Sequence, residues 1–197
     1  GRYLGRMHRL TKGYAPPALA TPRASWNGDD VVKAALRSLD PNDSLAFRRM
    51  NELMAWLEGL PKDRAGYGLV HADLHSGNFF VQDGAITAFD FDDSCYHWFG
   101  YDLVIPLISM NLQAREPGLF PGPALMGPFL EGYLSENVLG KIWLDRLELF
   151  GKYRAALMYH WLKTGMAEGL FEEKDLEWCR LRLPWCLEQI KAPLELV

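Results

Sequence analysis

The sequence predicts an α+β fold that is mainly helical and carries one small β-hairpin. Apolar residues recur at helical spacing through most of the 197 residues. Two short apolar runs, residues 78–81 and 85–89, flank the tripeptide Gln82-Asp83-Gly84, and Asp-Gly between such runs is typical of a tight hairpin turn. Nearly half of the residues are hydrophobic, so the chain can bury a core of its own as one domain.

Three helices are predicted before the hairpin. Residues 2–12 have apolar side chains at helical spacing. Asp29 or Asp30 can cap a short second helix. Asp40-Pro41 is a start signal for a third helix, which should end before Gly59-Leu-Pro61 because Gly and Pro terminate helices.

Helices also follow the hairpin, and they are predicted over residues 102–112, 129–139, 140–165 and 172–191. Asp102 precedes an apolar run and is interpreted as an N-cap. Pro184 should interrupt the last helix. Residues 94–99 hold four large rings and are interpreted as a loop. The early and late helices are expected to pack around the apolar faces of the hairpin.

Three polar residues should meet at the open end of the hairpin. Asn78 begins the first strand and Asp90 follows the second, and facing residues of such a pair have Cβ atoms about 5 Å apart. Asp73 lies on the loop that enters the hairpin at the same end. A carboxylate and an amide oxygen suit Mg²⁺, while a further carboxylate can accept the proton of an attacking hydroxyl. The set therefore predicts phosphoryl transfer, with Asp73 as base and Asn78 and Asp90 as metal ligands.

The spacing of these residues is similar to that of a known family. Asp73 and Asn78 follow His71 in a His-x-Asp-x-x-x-x-Asn pattern, which protein kinases also carry. His-x-Asp-Leu-His-x-x-Asn followed by Phe-Asp-Phe-Asp-Asp resembles the aminoglycoside phosphotransferase and choline kinase family. Ala72 and Phe89 stand where that family has Gly and Ile. The specific motifs cover about 35 residues, and weaker similarity in helix placement extends over most of the chain.

The resemblance implies the C-terminal lobe of a protein-kinase-like fold, in which a small β-hairpin carries the active site. It implies transfer of the γ-phosphate of ATP, bound with Mg²⁺, to a hydroxyl; GTP is the alternative nucleotide. Residues 1–197 contain no Gly-rich phosphate loop before the motifs. We therefore expect the N-terminal nucleotide-binding lobe to be absent and the isolated chain to be inactive. The double acid Asp92-Asp93 is closer to the branch of homoserine-kinase-like and stress-response Ser/Thr kinases.

Further candidate residues surround the predicted site. His71 is expected to orient its loop, Asp92 is a phosphate-proximal candidate, and for His75 a phosphate contact and a structural role remain equally open. In the resembled family, helices after the metal-binding segment form the acceptor pocket. The resemblance assigns the pocket lining to Asp92, Asp93, Tyr96, Trp98, Tyr133, Tyr153 and Trp161. Packing of the lobe interior is an equally open interpretation of the rings at residues 96–99.

Composition narrows the range of functions. The net charge is −4 and no basic block is present, which argues against a nucleic-acid-binding surface. No run of 18 apolar residues predicts a membrane span. Three cysteines without a Cys-x-x-Cys pair favour reduced thiols and a cytoplasmic location over a disulfide framework.

Three functions remain open at this point. The first is an ATP-dependent kinase of a hydroxylated small molecule, and the second is a Ser/Thr protein kinase of the stress-response branch. The third is a non-catalytic binding module that kept the fold. Because an isolated lobe exposes apolar surface that its other lobe would cover, we also expect a tendency to form homodimers.

Overall fold

A computed structural model describes residues 1–18, 21–28, 30–37, 44–116 and 118–195, with the side chains of residues 30, 31 and 44 left aside. The elements in these ranges are α1 (Arg2–Lys12), α2 (Asp30–Arg37), α3 (Ser44–Glu58), β1 (Tyr67–Val70), β2 (Phe79–Gln82), β3 (Ala85–Ala88), β4 (Cys95–Trp98), α4 (Phe99–Ala114), α5 (Pro123–Leu134), α6 (Lys141–Leu144), α7 (Leu147–Glu168) and α8 (Glu173–Lys191). The fold is mainly helical with short antiparallel strands, which confirms the predicted class. The Asp29 cap and the Asp40-Pro41 start signal lie outside the described residues, as does the side chain of Asp30.

Strands β2 and β3 form the predicted hairpin. They pair antiparallel from Phe79 opposite Ala88 to Gln82 opposite Ala85. The two turn residues, Asp83 and Gly84, have φ values of 50° and 76°. Positive φ at both positions is the conformation that a type I′ turn requires, and Asp-Gly adopts it readily.

Strand β4 corrects the interpretation of residues 94–99 as a loop. It pairs antiparallel with β1, with Tyr67 opposite Trp98 and Val70 opposite Cys95. Cys95 and Trp98 are buried, and so is the intervening His97. Such a strand lacks the apolar–polar alternation that identifies a half-buried strand in a sequence.

Helix α7 forms the centre of the core. It packs against α4 and α8 and also contacts α2 and α3. The apolar stripe predicted along residues 143–162 is largely core, because Leu147, Phe150 and Leu162 are almost wholly buried. Met158 is half-buried instead. Its side chain lines a cavity between α4, α7 and α8.

The hairpin is not packed between helices as expected. Phe80 and Val81 are 68% and 63% exposed, whereas Phe79 and Ala88 at the open end of the hairpin are partly buried against the core. One contact ties it to α1, where the backbone N–H of Ala88 donates to the Tyr3 hydroxyl at 3.3 Å. Phe80, Val81 and Ile86 are therefore available as an apolar surface.

Several helices also differ from the prediction. Helix α5 spans Pro123–Leu134 rather than residues 129–139, and the stretch predicted as one helix over residues 140–165 divides into α6 and α7. Helix α4 begins at Phe99, so Asp102 lies within its first turn instead of capping it. Helix α8 continues through Pro184, since surrounding packing can hold a helix that a proline weakens. Within the described residues, the helices are all too short or too polar to cross a membrane.

Candidate active site

The carboxylate of Asp102 anchors the loop that carries the predicted catalytic residue. Asp102 is wholly buried. Its Oδ1 accepts the backbone N–H of Ala72 at 2.8 Å, and its Oδ2 accepts that of His71 at 3.3 Å. His8 Nε2 also donates to Oδ2, at 2.9 Å. Asp102 therefore caps the loop rather than its own helix, which corrects the N-cap interpretation.

Ala72 shows why this anchor is needed. Its φ is 66°, a left-handed conformation that costs a residue with a Cβ about 1–2 kcal/mol relative to the right-handed one. Glycine adopts it freely, which gives a physical reason for the Gly found at this position in the resembled family. The 2.8 Å bond from Ala72 to the buried Asp102 offsets part of that cost. The loop is held in the conformation that presents Asp73.

Asp73 is held by side chains on both of its carboxylate oxygens. Arg154 Nη2 donates to Oδ1 at 2.7 Å. Asn78 Nδ2 donates to Oδ2 at 3.0 Å and to the Asp73 backbone carbonyl at 2.9 Å. His75 Nε2 lies 3.3 Å from Oδ2, and it carries the proton because Nδ1 accepts from the Gly77 N–H at 2.9 Å.

These contacts keep Asp73 ionised and leave one hydrogen-bond acceptor position on its carboxylate for a ligand. Burial by itself would raise the pKa of Asp73, but the hydrogen bond from His75 and the charge of Arg154 outweigh it and lower that pKa. A carboxylate oxygen has about two acceptor positions. Donors from the described residues occupy both positions on Oδ2 and one position on Oδ1. Asp73 can therefore accept a hydrogen bond from a substrate hydroxyl at Oδ1.

Asn78 and Asp90 offer the remaining oxygens. Because Asn78 Nδ2 meets two acceptor oxygens of Asp73, the orientation of its amide is defined and Oδ1 is left for another partner. Asp90 is exposed and has a φ of 62°. Its side chain makes no hydrogen bond or ion pair to any other described residue.

This pair of oxygens fits a hard cation such as Mg²⁺, which prefers carboxylate and amide oxygen ligands. Within the described part of the chain, no cluster of three or more His, Cys, Asp or Glu side chains is placed to hold a metal. A cation on Asn78 and Asp90 would thus complete its shell with water and with oxygens of a bound phosphate. These two side chains alone are too few to form a closed metal centre.

The three supporting candidates lie around this set. His71 is buried, its Nε2 donates to the Phe89 carbonyl at 3.0 Å, and its ring lies 4.6 Å from that of Phe91. It thereby joins the loop to the segment that carries Asp90. His75 contacts Asp73, as described above. Asp92 is exposed, and its backbone carbonyl accepts from Arg23 at 3.1 Å.

A cavity of about 680 Å³ opens beside Asp73. Helices α4, α7 and α8 form its walls. The apolar lining residues are Ile105, Ile108, Leu112, Leu157, Met158, Trp161 and Trp178. The polar ones are Asp73, His75, Ser76, Asp93, Ser109, Gln113, Arg154 and Arg182. Its volume lies within the range of small-molecule sites, about 300–1,000 Å³.

The cavity includes only part of the predicted pocket lining. Asp93 and Trp161 line it. The other predicted residues, Asp92, Tyr96, Trp98, Tyr133 and Tyr153, do not. Trp98, Tyr133 and Tyr153 are wholly buried in the core, which corrects the expectation for those rings.

Hydrogen bonds and strand pairing explain why these rings are structural. The indole N–H of Trp98 donates to the Pro61 carbonyl at 2.8 Å. The hydroxyl of Tyr133 lies 2.7 Å from His8 Nδ1 and accepts from Asn137 at 2.7 Å. Tyr96 lies in β4, opposite Leu69 of β1. Rings in these positions stabilise the frame that supports the loop.

Sequence reasoning missed Arg154 and Arg182 in the cavity and the anchoring role of Asp102. A signal for Arg154 was present, because it stands in the apolar run Tyr153-Arg-Ala-Ala-Leu-Met158, and a cation among core residues is normally paired. Arg182 carried a similar signal, since its neighbours at helical spacing, Trp178, Cys179, Trp185 and Cys186, are all apolar. Its place on the cavity wall depends on how α8 packs against α7.

Sequence comparisons show which known proteins the chain is similar to. A sequence profile described as the phosphotransferase enzyme family matches residues 1–137. The chain is 40% identical over 168 residues to the amicoumacin kinase of Bacillus subtilis (strain 168), a match that covers 81% of this chain and 48% of that protein. It is 29% identical over 187 residues to the homoserine kinase of Gluconobacter oxydans (strain 621H), covering 89% of this chain and 56% of that protein. The chain spans about half the length of the curated relatives it matches.

Solved structures give the same fold. An amicoumacin kinase, hAmiN, in complex with AMP-PNP, Ca²⁺ and Ami, superposes with a TM-score of 0.79 at 33% identity, covering 96% of this chain and 56% of that one. A microcompartment-associated aminopropanol kinase superposes with a TM-score of 0.67 at 21% identity, covering 96% and 59%. The second likeness concerns the fold alone. Together they confirm the predicted kinase-like architecture.

Proposed function

The chain belongs to the phosphotransferase enzyme family, and from that premise we propose that it is the C-terminal catalytic lobe of an ATP-dependent kinase of hydroxylated small molecules. One observation carries the proposal. Asp73 is fixed at the edge of a cavity of small-molecule size, with an acceptor position left on Oδ1. Asn78 Oδ1 and Asp90 remain available on the same loop and hairpin for a metal-bound nucleotide.

In the proposed reaction each residue has a separate task. Asp73 orients the acceptor hydroxyl and takes its proton at Oδ1. Arg154 holds the Asp73 carboxylate in place from the cavity side. Asn78 and Asp90 would hold Mg²⁺, which, when bound with the nucleotide, neutralises charge on the phosphates. The apolar walls of the cavity limit the access of water to the acceptor.

We propose ATP with Mg²⁺ as the phosphate donor and GTP as the alternative. The relative solved with AMP-PNP and Ca²⁺ supports an adenine nucleotide with a divalent cation. We also propose that the nucleotide-binding N-terminal lobe lies outside these 197 residues, since the matched relatives are about twice as long. A cytoplasmic location is supported by three buried free thiols, Cys95, Cys179 and Cys186, because reducing compartments keep thiols free.

The test uses the full-length protein that contains these residues. Mg-ATP is supplied with amicoumacin, homoserine, aminopropanol and choline in turn, and with a Ser/Thr peptide, while ADP release and ³¹P NMR follow transfer. We expect a phosphate ester on a small alcohol, and loss of that product in Asp73→Asn. Phosphorylation of the peptide alone would favour a protein kinase. Mg-ATP binding without transfer to any acceptor would favour a non-catalytic module.

A further inference from the structure

One face of helix α7 lines the cavity beside Asp73. Helix α7 presents Arg154, Leu157, Met158 and Trp161 to it. These residues have i, i+3, i+4 and i+7 spacing, which places them on one face of the helix. At 1.5 Å per residue, Trp161 lies about 10 Å along the axis from Arg154. Because Arg154 contacts Asp73, the cavity extends about that far from the reacting hydroxyl.

The end of the cavity away from Asp73 is aromatic. Trp161 on α7 and Trp178 on α8 both line it and are each 43% exposed. Their rings are 6.5 Å apart in an edge-to-face arrangement. Phe171 supports Trp161 from another side, at 4.9 Å. Half-exposed indoles at a cavity are suited to contact with a planar apolar group, which would remove their rings from water.

Arg182 lines the same cavity one helical turn after Trp178 on α8 and brings a positive charge to it. Within the described residues no carboxylate lies within 4 Å of its guanidinium, and its one hydrogen bond, at 3.4 Å, goes to the carbonyl of Leu112. The guanidinium lies 5.7 Å from the ring of Trp178. Its Nε is buried and has no hydrogen-bond partner among the described residues. A buried donor in that state is costly until an acceptor meets it.

The two arginines of the cavity therefore differ. Arg154 is paired with Asp73 at 2.7 Å. Burial lowers the pKa of Arg182, and the neighbouring charge of Arg115 lowers it further. An arginine still remains protonated at neutral pH, because its ordinary pKa is above 12. An anionic oxygen bound beside Arg182 would therefore accept its hydrogen bonds and stabilise its charge.

We propose that the acceptor is an elongated hydroxylated molecule with a planar apolar group and an anionic oxygen. The planar group lies against Trp161 and Trp178, about 10 Å along the cavity from Asp73. The hydroxyl lies at Asp73, and the anionic oxygen meets Arg182. This inference rests on the proposed function, because it assigns the substrate class of the same cavity. A small polar alcohol such as homoserine or choline would leave the aromatic end unfilled.

The experiment compares four acceptors in the full-length protein with Mg-ATP. The acceptor 4-(3-hydroxypropyl)benzoate carries all three features, and the corresponding benzamide and benzylamine replace the anion by a neutral or a cationic group. The fourth acceptor, 6-hydroxyhexanoate, keeps the anion and lacks the ring. We expect the benzoate to have the highest kcat/KM. Equal kcat/KM for the benzoate and the benzylamine would overturn the role of Arg182. Equal kcat/KM for the benzoate and 6-hydroxyhexanoate would overturn the role of the indoles.

Substitutions then show which residues cause the differences among the four acceptors. Arg182→Gln should raise KM for the benzoate about tenfold or more, as expected for a charge-assisted hydrogen bond, and change kcat little. It should leave KM for the benzamide nearly unchanged. Trp178→Leu should raise KM for all three aryl acceptors and not for 6-hydroxyhexanoate. Arg180→Gln is the matched control, because Arg180 is an exposed arginine on the same helix, and it should change neither.

Binding is measured independently of turnover, by quenching of tryptophan fluorescence in Asp73→Asn. Arg182→Gln in that background should weaken benzoate binding, and an unchanged Tm would show that the variant is folded. Unchanged affinity would overturn the inference. If no acceptor is phosphorylated although the benzoate binds through Arg182, the proposed function fails while the ligand class stands. If all four acceptors are phosphorylated with equal kcat/KM, the inference fails while the proposed function stands.

Discussion

Asp73 and Asp90 stand at the same end of the hairpin, yet the protein contacts them in different ways. Asp73 receives hydrogen bonds from Asn78, His75 and Arg154 on its two oxygens. Asp90 is exposed, and its side chain has no hydrogen bond or ion pair to any other described residue. Donors from the protein fix the orientation of the first carboxylate, whereas the second keeps its acceptor positions for groups that arrive with a ligand.

The segments that carry the two carboxylates also differ in how firmly they are held. Asp73 stands on a loop whose backbone is tied to Asp102, and Asp102 is a buried residue of α4 that also bonds to His8 of α1. The hairpin that leads to Asp90 is exposed and has few contacts with the helices. A carboxylate that acts on an acceptor gains from a fixed position, because misplacement by 1 Å is costly in rate. A metal ligand that works jointly with phosphates can instead adjust when the nucleotide binds.

The largest expected effect comes from removing the charge of the tethered carboxylate. Asp73→Asn in the full-length protein should lower turnover by about 10²–10⁴-fold, the usual contribution of general-base assistance. Nucleotide affinity should remain nearly unchanged, since Asp73 is not among the proposed metal ligands. Steady-state kinetics and calorimetry measure the two quantities. Asp83→Asn at the hairpin turn is the control, and near-normal turnover in Asp73→Asn would contradict the assignment.

The next effect is on stability and concerns the anchor below Asp73. Asp102→Ala should lower the free energy of unfolding by about 3–5 kcal/mol, because it leaves His8 and two backbone N–H groups without their buried partner. Urea denaturation measures the loss. Asp145→Ala, which removes an exposed pair with Lys141, should cost less than about 1 kcal/mol. A similar loss in both variants would show that Asp102 is not the anchor.

The exposed carboxylate is tested through the metal. Asp90→Ala should weaken Mg-dependent nucleotide binding by about 10–100-fold or more, since loss of even an outer-shell partner of a metal costs that much. Binding without Mg²⁺ should change little. Calorimetry with and without the metal separates the two. Asp92→Ala should have a much smaller effect, and the reverse order would identify Asp92 as the ligand.

A smaller effect is expected from loosening Asp73 without removing it. Arg154→Met leaves the donors from Asn78 and His75 and removes the one to Oδ1, so turnover should fall about tenfold. Arg154→Lys keeps the charge and lacks the planar fork, and it should recover part of the loss. Addition of guanidinium to the Arg154→Met enzyme should restore activity. Absence of rescue, with a normal Tm, would argue against a positioning role.

The smallest effect concerns the exposed hairpin. Purified residues 1–197 should melt cooperatively, with negligible ATP turnover and no Tm shift on addition of Mg-ATP.

The isolated chain should also tend to form dimers through exposed apolar residues such as Phe80. Phe80→Ser should shift this weak self-association toward monomer in analytical ultracentrifugation. Thr87→Ser, an exposed change on the facing strand, is the control. Robust phosphorylation of any acceptor by this chain alone would contradict the need for a second lobe.

Local features of the chain were predictable from the sequence. The turn at Asp83 and Gly84 follows from backbone conformations that few residues adopt. The meeting of Asn78 with Asp73 follows from a separation of five residues across one tight loop. The helices could be placed from their apolar spacing. In each case the residues that interact are close together in the chain, so their order determines their geometry.

Tertiary structure alone decided the contacts between distant segments. Arg154 reaches Asp73 from 81 residues later, and Asp102 holds a loop that lies 30 residues before it. Burial of Trp98 and exposure of Trp178 likewise depend on which helices pack over them. Apolar spacing shows which face of a helix is buried but not which partner covers it, since the hydrophobic effect is not directional. The cavity, and with it the choice of acceptor, therefore arises only when α4, α7 and α8 come together.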